Sequence, residues 1–400
     1  MTYRPKFWEF FAGAGLVRLA LEPTWECTWA NDIDARKADV YQANFGSREL
    51  VVRDVAAVNT NELPAPAAMA WASFPCQDLS LAGWRRGMTA SRSGTFWPFW
   101  RLLHSLIMEG NRPPIVVIEN VTGLLYGDNF KGLCEALAAL DLQFGAVVID
   151  GRYFVPQSRP RAFIVAVDAN VPVQPWTRAS AVSWTTPTSL RRAYGGLDKA
   201  LLTRWRWWHL PEPTRPVLPL GSLLELAPSG VGWHSQDDTQ HLLDLMTQPA
   251  LLETRRRSFA ETVSVGMLYR RTREGHQRAE VRWDGIAGCL RTPEGGSSRQ
   301  TVLIAGKGLI LSRLLSPREA ARLMGVPDDY VLPEKYNDAY RAMGDGVVVP
   351  AVQWLNMNLL SPLAAAVADS SFSRVPARTS KFSARAFRQA ERWEAVNGTR

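Results

Sequence analysis

The stretch FWEFFAGAGLVRLALE, residues 7–22, joins a short aromatic strand to a helical segment through a turn that contains Gly13 and Gly15. Glycines at such a turn let the backbone bend tightly and bring a ligand close to backbone amides. The turn is not the dinucleotide fingerprint G-x-G-x-x-G, because Arg18 stands three residues after Gly15. The stretch therefore predicts the first strand–turn–helix unit of an α/β sheet and argues against a dinucleotide at its turn.

The rest of the N-terminal part, up to about residue 168, alternates strand-like and helix-like segments. Apolar strands separated by helical patterns are typical of βαβ units, so we expect a mostly parallel sheet. Further strands are predicted at 27–34, 68–74, 114–121, 146–150 and 162–167, and a helix at 35–45.

The composition and the periodicity of the sequence change after Asp168. Residues 169–300 are rich in Pro, Trp, Arg and Gly and show little periodicity, which predicts an irregular second domain. A capped helix follows, with Ser316 as the N-cap, Glu319 three residues later and Gly325 as terminator. Residues 350–368 are again apolar and helical, and the last thirty or so form a basic tail with at most one weak helix.

Bulk composition narrows the class of protein. With 46 basic and 38 acidic residues the net charge is +8, which favours anionic partners such as nucleic acid. No apolar run reaches the ~18–20 residues of a membrane helix, and the N-terminus lacks a signal-peptide pattern. The four cysteines form no C-x-x-C pair, so no metal site is expected. We expect a soluble, cytoplasmic protein that does not bind a membrane.

Two acids follow predicted strands near the glycine turn. Asp32 lies about 20 residues after the glycines, where an acid usually binds the hydroxyls of a ribose. Asp54 ends another strand at the same edge and could accept from an adenine amino group. Either acid could instead cap a helix or a turn. Together with the glycine turn they favour a cofactor that carries a nucleoside.

Cys76 lies in SFPCQDLS, residues 73–80. A lone cysteine is most often an inert, buried small side chain. Here it ends a strand, where open α/β sheets place ligands, it follows the rigid Pro75, and polar residues come next. These features favour a nucleophile on an exposed loop.

Two further motifs carry polar groups at strand ends. Glu119 and Asn120 stop an apolar strand, where an acid is costly unless it is paired, exposed or functional. Asn120 could also cap a following helix. Gln157, Arg159 and Arg161 alternate just before a strand, so all three can point to one face, although solvated arginines would give the same pattern.

These motifs, in this order, resemble one family, the DNA (cytosine-5)-methyltransferases. The resemblance spans about residues 7–360, and the ordered series of modest motifs makes it specific. The matching residues are Phe11, Gly13 and Gly15 in the cofactor motif, Pro75, Cys76 and Gln77 in the nucleophile loop, Glu119, Asn120 and Val121, then Gln157, Arg159 and Arg161, and finally RLLSPREAARLMGVPD (313–328) and AMGDGVVVPAV (342–352).

The sequence departs from the family pattern at three positions. Leu16 stands where a further glycine is common, and Arg53 precedes Asp54 where the family often has glycine. Asp345 stands where the last motif usually has asparagine, near the methionine end of the cofactor. These differences bear on cofactor affinity rather than on the reaction.

The resemblance implies a fold: an α/β, Rossmann-like S-adenosylmethionine-dependent methyltransferase sheet with helices on both faces, plus a smaller irregular target-recognition domain. The expected catalytic and cofactor-binding domain is 1–168, completed by about 335–365. The expected recognition domain is 169–334, and the basic tail is 366–400. S-adenosyl-L-methionine is the implied cofactor, and its binding residues would be Phe11, Gly13, Gly15, Asp32, Ile33, Asp54 and Pro75.

The resemblance also implies the chemistry. Cys76 would attack C6 of a cytosine flipped out of the duplex, and Glu119 would hydrogen-bond N3 and the amino group. Arg161 would hold the O2 side, and Arg159 would support the loop or the flipped nucleotide. No metal takes part. The candidate DNA-binding residues are Gln77, Ser80, Gln157, Arg255, Arg256, Arg270 and Arg271.

The expected partner is double-stranded DNA of a specific sequence, as for the modification enzyme of a bacterial or phage system. We expect a monomer, and a cognate restriction endonuclease is left open as a second partner. Two alternatives remain: a tRNA cytosine-5 methyltransferase of the same fold, and a non-catalytic DNA-binding protein. A nicotinamide oxidoreductase is more distant.

Overall fold

The computed structural model describes residues 4–64, 66–75, 95–273, 275–292, 299–369 and 385–391. The elements follow the alternation that the sequence predicts through its first part. The strands are β1 Lys6–Phe10, β2 Glu26–Asp32, β3 Leu50–Val52, β4 Met69–Ala72, β5 Ile115–Val121, β6 Leu142–Asp150, β7 Pro160–Asp168, β8 Thr177–Arg178, β9 Trp207–Trp208, β10 Ser264–Arg273, β11 His276–Arg282, β12 Gln300–Gly306 and β13 Leu309–Leu314.

Helices connect these strands and complete the C-terminal part. They are α1 Leu16–Leu21, α2 Ala35–Phe45, α3 Phe96–Met108, α4 Asn129–Ala139, α5 Thr188–Gly195, α6 Lys199–Leu202, α7 Leu220–Leu223, α8 Gln236–Asp244, α9 Gln248–Ser258, α10 Pro317–Leu323, α11 Tyr336–Asp345, α12 Val349–Leu355, α13 Ser361–Asp369 and α14, residues 385–391.

The large sheet has the strand order β3-β2-β1-β4-β5-β7-β6. The neighbours from β3 to β5 pair in parallel, whereas β7 is antiparallel to both β5 and β6. The prediction of a mostly parallel sheet is therefore confirmed, with one antiparallel strand inside it. Because parallel strands share a direction, the ends of β1 to β5 meet at one edge.

Helices cover both faces of the large sheet, as predicted. Successive side chains of a strand point to opposite faces, so Phe7 enters one core and Trp8 the other. The core around Phe7 is covered by α1, α2, α12 and α13, and the core around Trp8 by α3 and α4. The helical run Tyr336–Asp369 is long and apolar enough to cross a membrane by length and composition, but 61% of its most apolar stretch is buried in the structure.

A second sheet, with the order β11-β10-β12-β13, is antiparallel throughout. The prediction that residues 169–300 are irregular is wrong for this region. Its strands escape detection because the sheet is covered on both faces. Met267 packs in the core of the large sheet, while its neighbour Leu268 packs against α8 and α9. Adjacent buried residues remove the apolar–polar alternation that reveals a half-exposed strand.

The chain that follows Asp168 packs on the large sheet rather than with the second one. Trp205 is buried beside Phe144 of β6, and the indole N–H of Trp208 donates to the Val165 carbonyl at 3.1 Å. The Arg206 carbonyl passes so close to Gly145 that no side chain fits there. The segment up to about Trp208 therefore extends the layer over β6 and β7.

The predicted helix at 316–325 is present as α10. The Ser316 hydroxyl accepts from the Glu319 amide at 3.1 Å, and the Glu319 carboxylate accepts from the Ser316 amide at 2.8 Å. Arg313 also donates to this buried carboxylate at 2.6 and 2.8 Å. Gly325 ends the helix at a φ of 72°, where glycine is favoured.

Candidate active site

The candidate site lies along the edge where β1, β2, β3, β4 and β5 end. Open α/β sheets bind ligands outside this edge, because loops rather than further strand pairing continue the chain there. Phe11, Ile33, Asp54, Ser73 and the end of β5 all fall at it. The topology thus brings together residues that are up to about a hundred positions apart in the sequence.

The glycine turn follows β1 directly. Phe11, Gly13 and Gly15 all have positive φ values, of 58°, 57° and 76°. For Phe11 this conformation is uncommon and marks local strain of a kind that clusters at functional sites. A Cβ atom on Gly15 would lie 2.6 Å from the Phe45 ring, so no larger residue fits. At Gly13 the nearest side-chain atom would be 3.9 Å away, which leaves space beside the backbone for a ligand.

Asp32 ends β2 and faces this turn. Its Oδ2 atom accepts from the Gly13 amide at 2.8 Å, and its Oδ1 atom accepts from the Asp34 amide at 2.8 Å. Burial raises the pKa of Asp32, and Lys37 and the two amides partly offset that rise. Each carboxylate oxygen keeps a further lone pair, so the group can still accept from ribose hydroxyls.

The remaining predicted cofactor residues surround an open surface. The Ile33 side chain is 66% exposed, which is unusual for a large apolar residue and suits a flat, apolar ligand. Asp54 is exposed and caps a short 3₁₀ turn by accepting from the Ala56 amide at 2.9 Å. Pro75 is exposed as well. The structure thus assigns Asp54 the turn-capping contact that was the alternative to adenine binding, while one oxygen remains for a ligand.

A salt bridge between Lys37 and Asp345 lies beside the glycine turn. The Lys37 ammonium lies 2.8 Å from Asp345 Oδ2, and both side chains are only partly exposed. Burial alone would lower the pKa of Lys37, but Asp345 and Asp32 raise it overall. The aspartate that departs from the family pattern therefore has a cation of this chain beside it.

Cys76, Gln77 and Ser80 lie outside the described residues, but the residues on either side of the undescribed stretch 76–94 are described. On one side, the Phe74 carbonyl accepts from the Asn120 amide group at 3.1 Å. On the other side, Phe96 begins α3, and its ring centroid is 5.6 Å from that of Phe74. Residues 76–94 thus connect two anchors that touch each other, and Asn120 fixes the one next to Cys76.

Glu119 and Arg161 form an ion pair beside this anchor. The Arg161 Nε atom lies 3.3 Å from Glu119 Oε1, and the two strands that carry them are neighbours in the sheet. Burial raises the pKa of Glu119, while Arg161, Arg159 and a hydrogen bond from the Ser73 hydroxyl partly offset that rise. Ser73 also accepts from the Trp71 indole at 2.9 Å. The sequence did not single out Ser73; its place three residues before Cys76 was the available signal.

Arg159 lies behind this pair and is 1% exposed. Its guanidinium donates to the Gly344 and Gly346 carbonyls at 2.7 Å each, and to the Leu290 carbonyl at 2.8 Å. It also donates to Cys289 Sγ at 3.2 Å. These partners all belong to this chain and the side chain is buried, which argues against direct contact with a flipped nucleotide. The other predicted role, support of the Cys76 loop, stays a prediction. In the structure, Arg159 joins Gly344 and Gly346 of the last motif to Leu290.

Gln157 is completely buried, which contradicts its prediction as a DNA-binding residue. Its amide donates to the Leu323 carbonyl at 2.7 Å, and its oxygen accepts from the Leu290 amide at 3.0 Å. Both groups of the side chain are therefore used to join α10 to residue 290. The alternation of 157, 159 and 161 suggested one common face, but of these three residues only Arg161 forms an ion pair with Glu119.

Cys289 is a second residue that the sequence did not single out. Burial would raise the pKa of its thiol, but the neighbouring Arg159, Arg161 and Arg291 lower it overall. By contrast, burial raises the pKa of Cys27 to about 12 and that of Cys134 well above its ordinary value. Among the described cysteines, Cys289 alone adjoins the candidate site.

The candidate DNA-binding arginines divide between two faces of the second sheet. Arg270 is paired with Ala279 and shares the face that carries α8 and α9, whereas Arg271 points to the opposite face. Arg255 and Arg256 end α9 and are exposed. Arg256 donates twice to Glu253 at 2.8 Å, so part of its charge is already paired. Because Arg270 and Arg271 lie on opposite faces of the sheet, the two side chains cannot contact the same stretch of DNA from one face.

Known proteins similar to this chain are methyltransferases. The sequence matches the family C-5 cytosine-specific DNA methylase over residues 5–360. The chain belongs to this family. The resemblance inferred from the motifs is thereby confirmed, as is the assignment of the chain as an enzyme, a DNA (cytosine-5-)-methyltransferase.

Similar proteins include bacterial methyltransferases of nearly the same length. The chain is 28% identical to Type II methyltransferase M.HhaI of Haemophilus parahaemolyticus, over 90% of this chain and 95% of that protein. It is 26% identical to Type II methyltransferase M.NlaX of Neisseria lactamica, over 90% and 97%.

Solved structures with a similar fold are more distant in sequence. The Entamoeba histolytica methyltransferase EhMeth has a TM-score of 0.59 at 14% identity, over 90% of this chain and 99% of its own. A putative DNA modification methyltransferase encoded within an E. coli prophage has a TM-score of 0.53 at 16% identity, over 89% and 99%. These likenesses confirm the predicted fold class.

Proposed function

We propose that this enzyme methylates carbon 5 of a cytosine within a specific double-stranded DNA sequence, using S-adenosylmethionine, a flipped base and a covalent intermediate on Cys76. The observation that carries the proposal is the buried Glu119–Arg161 pair beside the Phe74 anchor of the Cys76 loop. The acid can donate a proton to N3 of a cytosine ring, and the guanidinium can donate hydrogen bonds to O2 of the same ring.

Glu119 supplies the proton-handling group. Because burial raises its pKa, a larger fraction of the carboxyl group stays protonated near neutral pH than for an exposed glutamate. In that form it can donate to N3 of cytosine, which makes C6 more electrophilic. Arg161 would contact the O2 side of the same ring, and its pairing with Glu119 fixes the relative position of the two groups.

Cys76 would be the nucleophile. Attack of its thiolate on C6 forms the S–C6 bond and moves the ring electrons to C5, which becomes nucleophilic. S-adenosylmethionine, when bound, supplies an electrophilic methyl group. C5 would attack this methyl group, so that the bond from the methyl carbon to the sulfonium sulfur breaks and S-adenosylhomocysteine leaves. A base would then remove the C5 proton, and the electron pair of that C–H bond would form the C5=C6 double bond and expel Cys76 as the thiolate. N3 would return its proton to Glu119, so that Glu119 and Cys76 both regain their starting protonation states.

The cofactor residues fit a nucleoside-bearing ligand. Asp32 has lone pairs left for a ribose, Gly13 leaves open space, and Ile33 offers an exposed apolar surface. These three residues border the same turn. We therefore assign them, with Phe11, Gly15, Asp54 and Pro75, to cofactor binding.

Reading a DNA sequence is assigned to the second sheet. Arg271 and Tyr269 lie on the face that shares a core with the catalytic part, with the guanidinium 4.6 Å above the ring. Arg255, Arg256 and Arg270 belong to the other side and suit phosphate contacts, which position the protein without reading sequence. The proposal places the enzyme in the cytoplasm as a monomer, with a cognate nuclease as a partner to be sought.

The test combines activity with target site. The protein is expressed in cells, and bisulfite sequencing of their DNA should show full cytosine methylation within one short sequence. Purified protein should form a covalent adduct with a duplex that carries 5-fluorocytosine at that site. Cys76→Ser should abolish both results while DNA binding survives. Methylation of tRNA instead of DNA, or DNA binding without an adduct, would overturn the proposal.

A further inference from the structure

Helix α14 lies beyond the family-matched region 5–360 and docks on α3 and α4. Its Ala386 and Ala390 side chains are 1% and 0% exposed, so one face of the helix is fully covered. Arg385 at its start donates to Glu135 of α4 at 2.7 Å. The basic tail is therefore not wholly a solvated extension: this part of it is built into the catalytic core.

Glu135 of α4 takes its ion-pair partner, Arg385, from this helix. It is 2% exposed on α4, among apolar neighbours, and its Oε2 atom has no partner in the described chain. Burial raises the pKa of Glu135, and Arg385 gives the largest opposing effect. Removing the partner of a buried charge is strongly destabilising, because the charge stays desolvated. Loss of Arg385 should therefore leave the Glu135 carboxylate without its hydrogen-bond donor.

Phe387 makes the apolar half of the contact. Its ring centroid lies 5.1 Å from that of Trp100 and 4.7 Å from that of His104, and both contacts are edge-to-face. Trp100 and His104 are one helical turn apart on α3, and their own rings are stacked. The Trp100 indole donates to the Ala136 carbonyl of α4 at 2.8 Å. Phe387 thus covers the place where α3 is fixed to α4.

A continuous row of aromatic rings leads from this place to the candidate active site. Trp100 contacts Trp97 at 6.1 Å, Trp97 contacts Phe96 at 5.1 Å, and Phe96 contacts Phe74 at 5.6 Å between ring centroids. Phe74 is the anchor that Asn120 holds two residues before Cys76. Rigid packed elements of this kind can carry energetic coupling between distant positions.

We propose that Arg385 and Phe387 are positioning residues: by docking α14 on α3 and α4, they hold the Phe96–Phe74 anchor in register with the Glu119–Arg161 pair. The proposal rests on the function proposed above. A segment outside the family-matched region, α14, would thus contribute to catalysis through its contacts with α3 and α4.

The test uses the full-length protein with single substitutions. Phe387→Ala removes the ring contacts, and Phe387→Leu keeps most of the volume. Arg388→Gln is the matched control, because Arg388 is exposed on the same helix and makes no ion pair among the described residues. We expect Phe387→Ala to lower kcat by roughly 3- to 30-fold. KM for S-adenosylmethionine should change less than kcat, because the row meets the proposed cofactor residues only at its Phe74 end, where the Phe11 ring centroid lies 6.5 Å away, and does not include Asp32 or Gly13. Phe387→Leu should restore most of kcat, and Arg388→Gln should match the wild type.

A second measurement separates positioning from stability alone. Amide hydrogen exchange at 25 °C should show faster exchange at the start of α3 in Phe387→Ala while β1 and β5 stay protected. Arg385→Gln should lower kcat more than the double variant Glu135→Gln/Arg385→Gln does, because the double variant removes the buried charge together with its partner. An unchanged kcat in folded Phe387→Ala, or equal effects of the single and double variants, would overturn the inference. Failure of the proposed function would appear instead as an inactive wild type with normal exchange protection of α14.

Discussion

The Arg161 Nε atom lies 3.3 Å from Glu119 Oε1, and the two side chains are 15% and 8% exposed. They come from adjacent antiparallel strands, β7 and β5, so the pair depends on the single strand that runs against its neighbours in the large sheet. A fully parallel sheet would place Arg161 at the opposite edge from Glu119. The antiparallel insertion of β7 is therefore what delivers the guanidinium to the acid.

Replacing Glu119 by glutamine tests the role of its proton. The amide keeps the shape and can still hydrogen-bond, but it cannot transfer a proton to N3. We expect Glu119→Gln to lower kcat by about 10²–10⁴-fold, as for loss of a general acid. In the wild type, kcat should fall as pH rises through the raised pKa of Glu119, because the protonated form is the active one. Single-turnover methylation, measured from the ordinary pKa of a glutamate upward over the pH range in which the protein stays folded, tests this. A residual fall of the same size and pH position in Glu119→Gln would assign the titration to another group.

Much of the fold around this pair could be predicted from the sequence. The strands of the large sheet are short apolar runs bounded by turn residues, and the capped helix α10 begins with Ser316 and Glu319 as expected. The second sheet could not be predicted, because β10 is covered on both faces and mixes Gly266, Met267 and Leu268 with arginines. Local periodicity carries no signal for a strand whose two sides are both buried.

The candidate site was predictable in kind but not in detail. Motif order identified the acid and the arginine that meet. It did not separate Arg161 from Arg159, because the partners of Arg159 are carbonyls of residues 290, 344 and 346, far along the chain. The same holds for Gln157. Burial of these two side chains follows from tertiary packing. Alternation in the sequence predicts that residues share one face of a strand, but it does not predict what covers that face.

Substituting Arg159 should therefore affect stability before it affects DNA binding. Arg159→Lys loses the planar fork that serves two carbonyl groups at once, and at least two buried carbonyls lose their donor. We expect a loss of about 2–4 kcal/mol in the free energy of unfolding, measured by urea denaturation. At a temperature where the variant is folded, its affinity for the DNA target should stay within about threefold of the wild type. Arg152→Lys is the control, since Arg152 is exposed and its charge pairs only at 3.5 Å. A large loss of DNA affinity without a loss of stability would restore the nucleotide-supporting role.

The Lys37–Asp345 bridge should matter for cofactor binding as a pair. Lys37→Met leaves Asp345 and Asp32 as neighbouring acids without the ammonium between them. We therefore expect this variant to bind the neutral product S-adenosylhomocysteine more weakly than it binds the cationic cofactor, to a greater extent than the wild type does. Asp345→Asn restores the residue usual in the family but leaves Lys37 without its partner. The double variant should be closer to the wild type than the sum of the single changes, with a coupling of about 0.5–1 kcal/mol for a partly exposed pair. Isothermal titration calorimetry of all four proteins measures this, and strict additivity would show that the bridge is irrelevant to the cofactor.

Glu9 predicts a pH dependence of stability that is independent of catalysis. It lies on β1, is 1% exposed, and burial raises its pKa to about 8, with Arg18 only partly opposing the rise. Because the folded pKa lies above the unfolded value of about 4.5, the stabilisation is fully present below the unfolded pKa and is lost as pH rises through about 8. Urea unfolding of the wild type should therefore give a free energy that declines between pH 5 and pH 8.5. Glu9→Gln, which cannot ionise, should lack this decline and be the more stable protein at pH 8.5. Parallel pH profiles for the two proteins would show that the Glu9 carboxyl group ionises in the folded state as easily as in the unfolded chain.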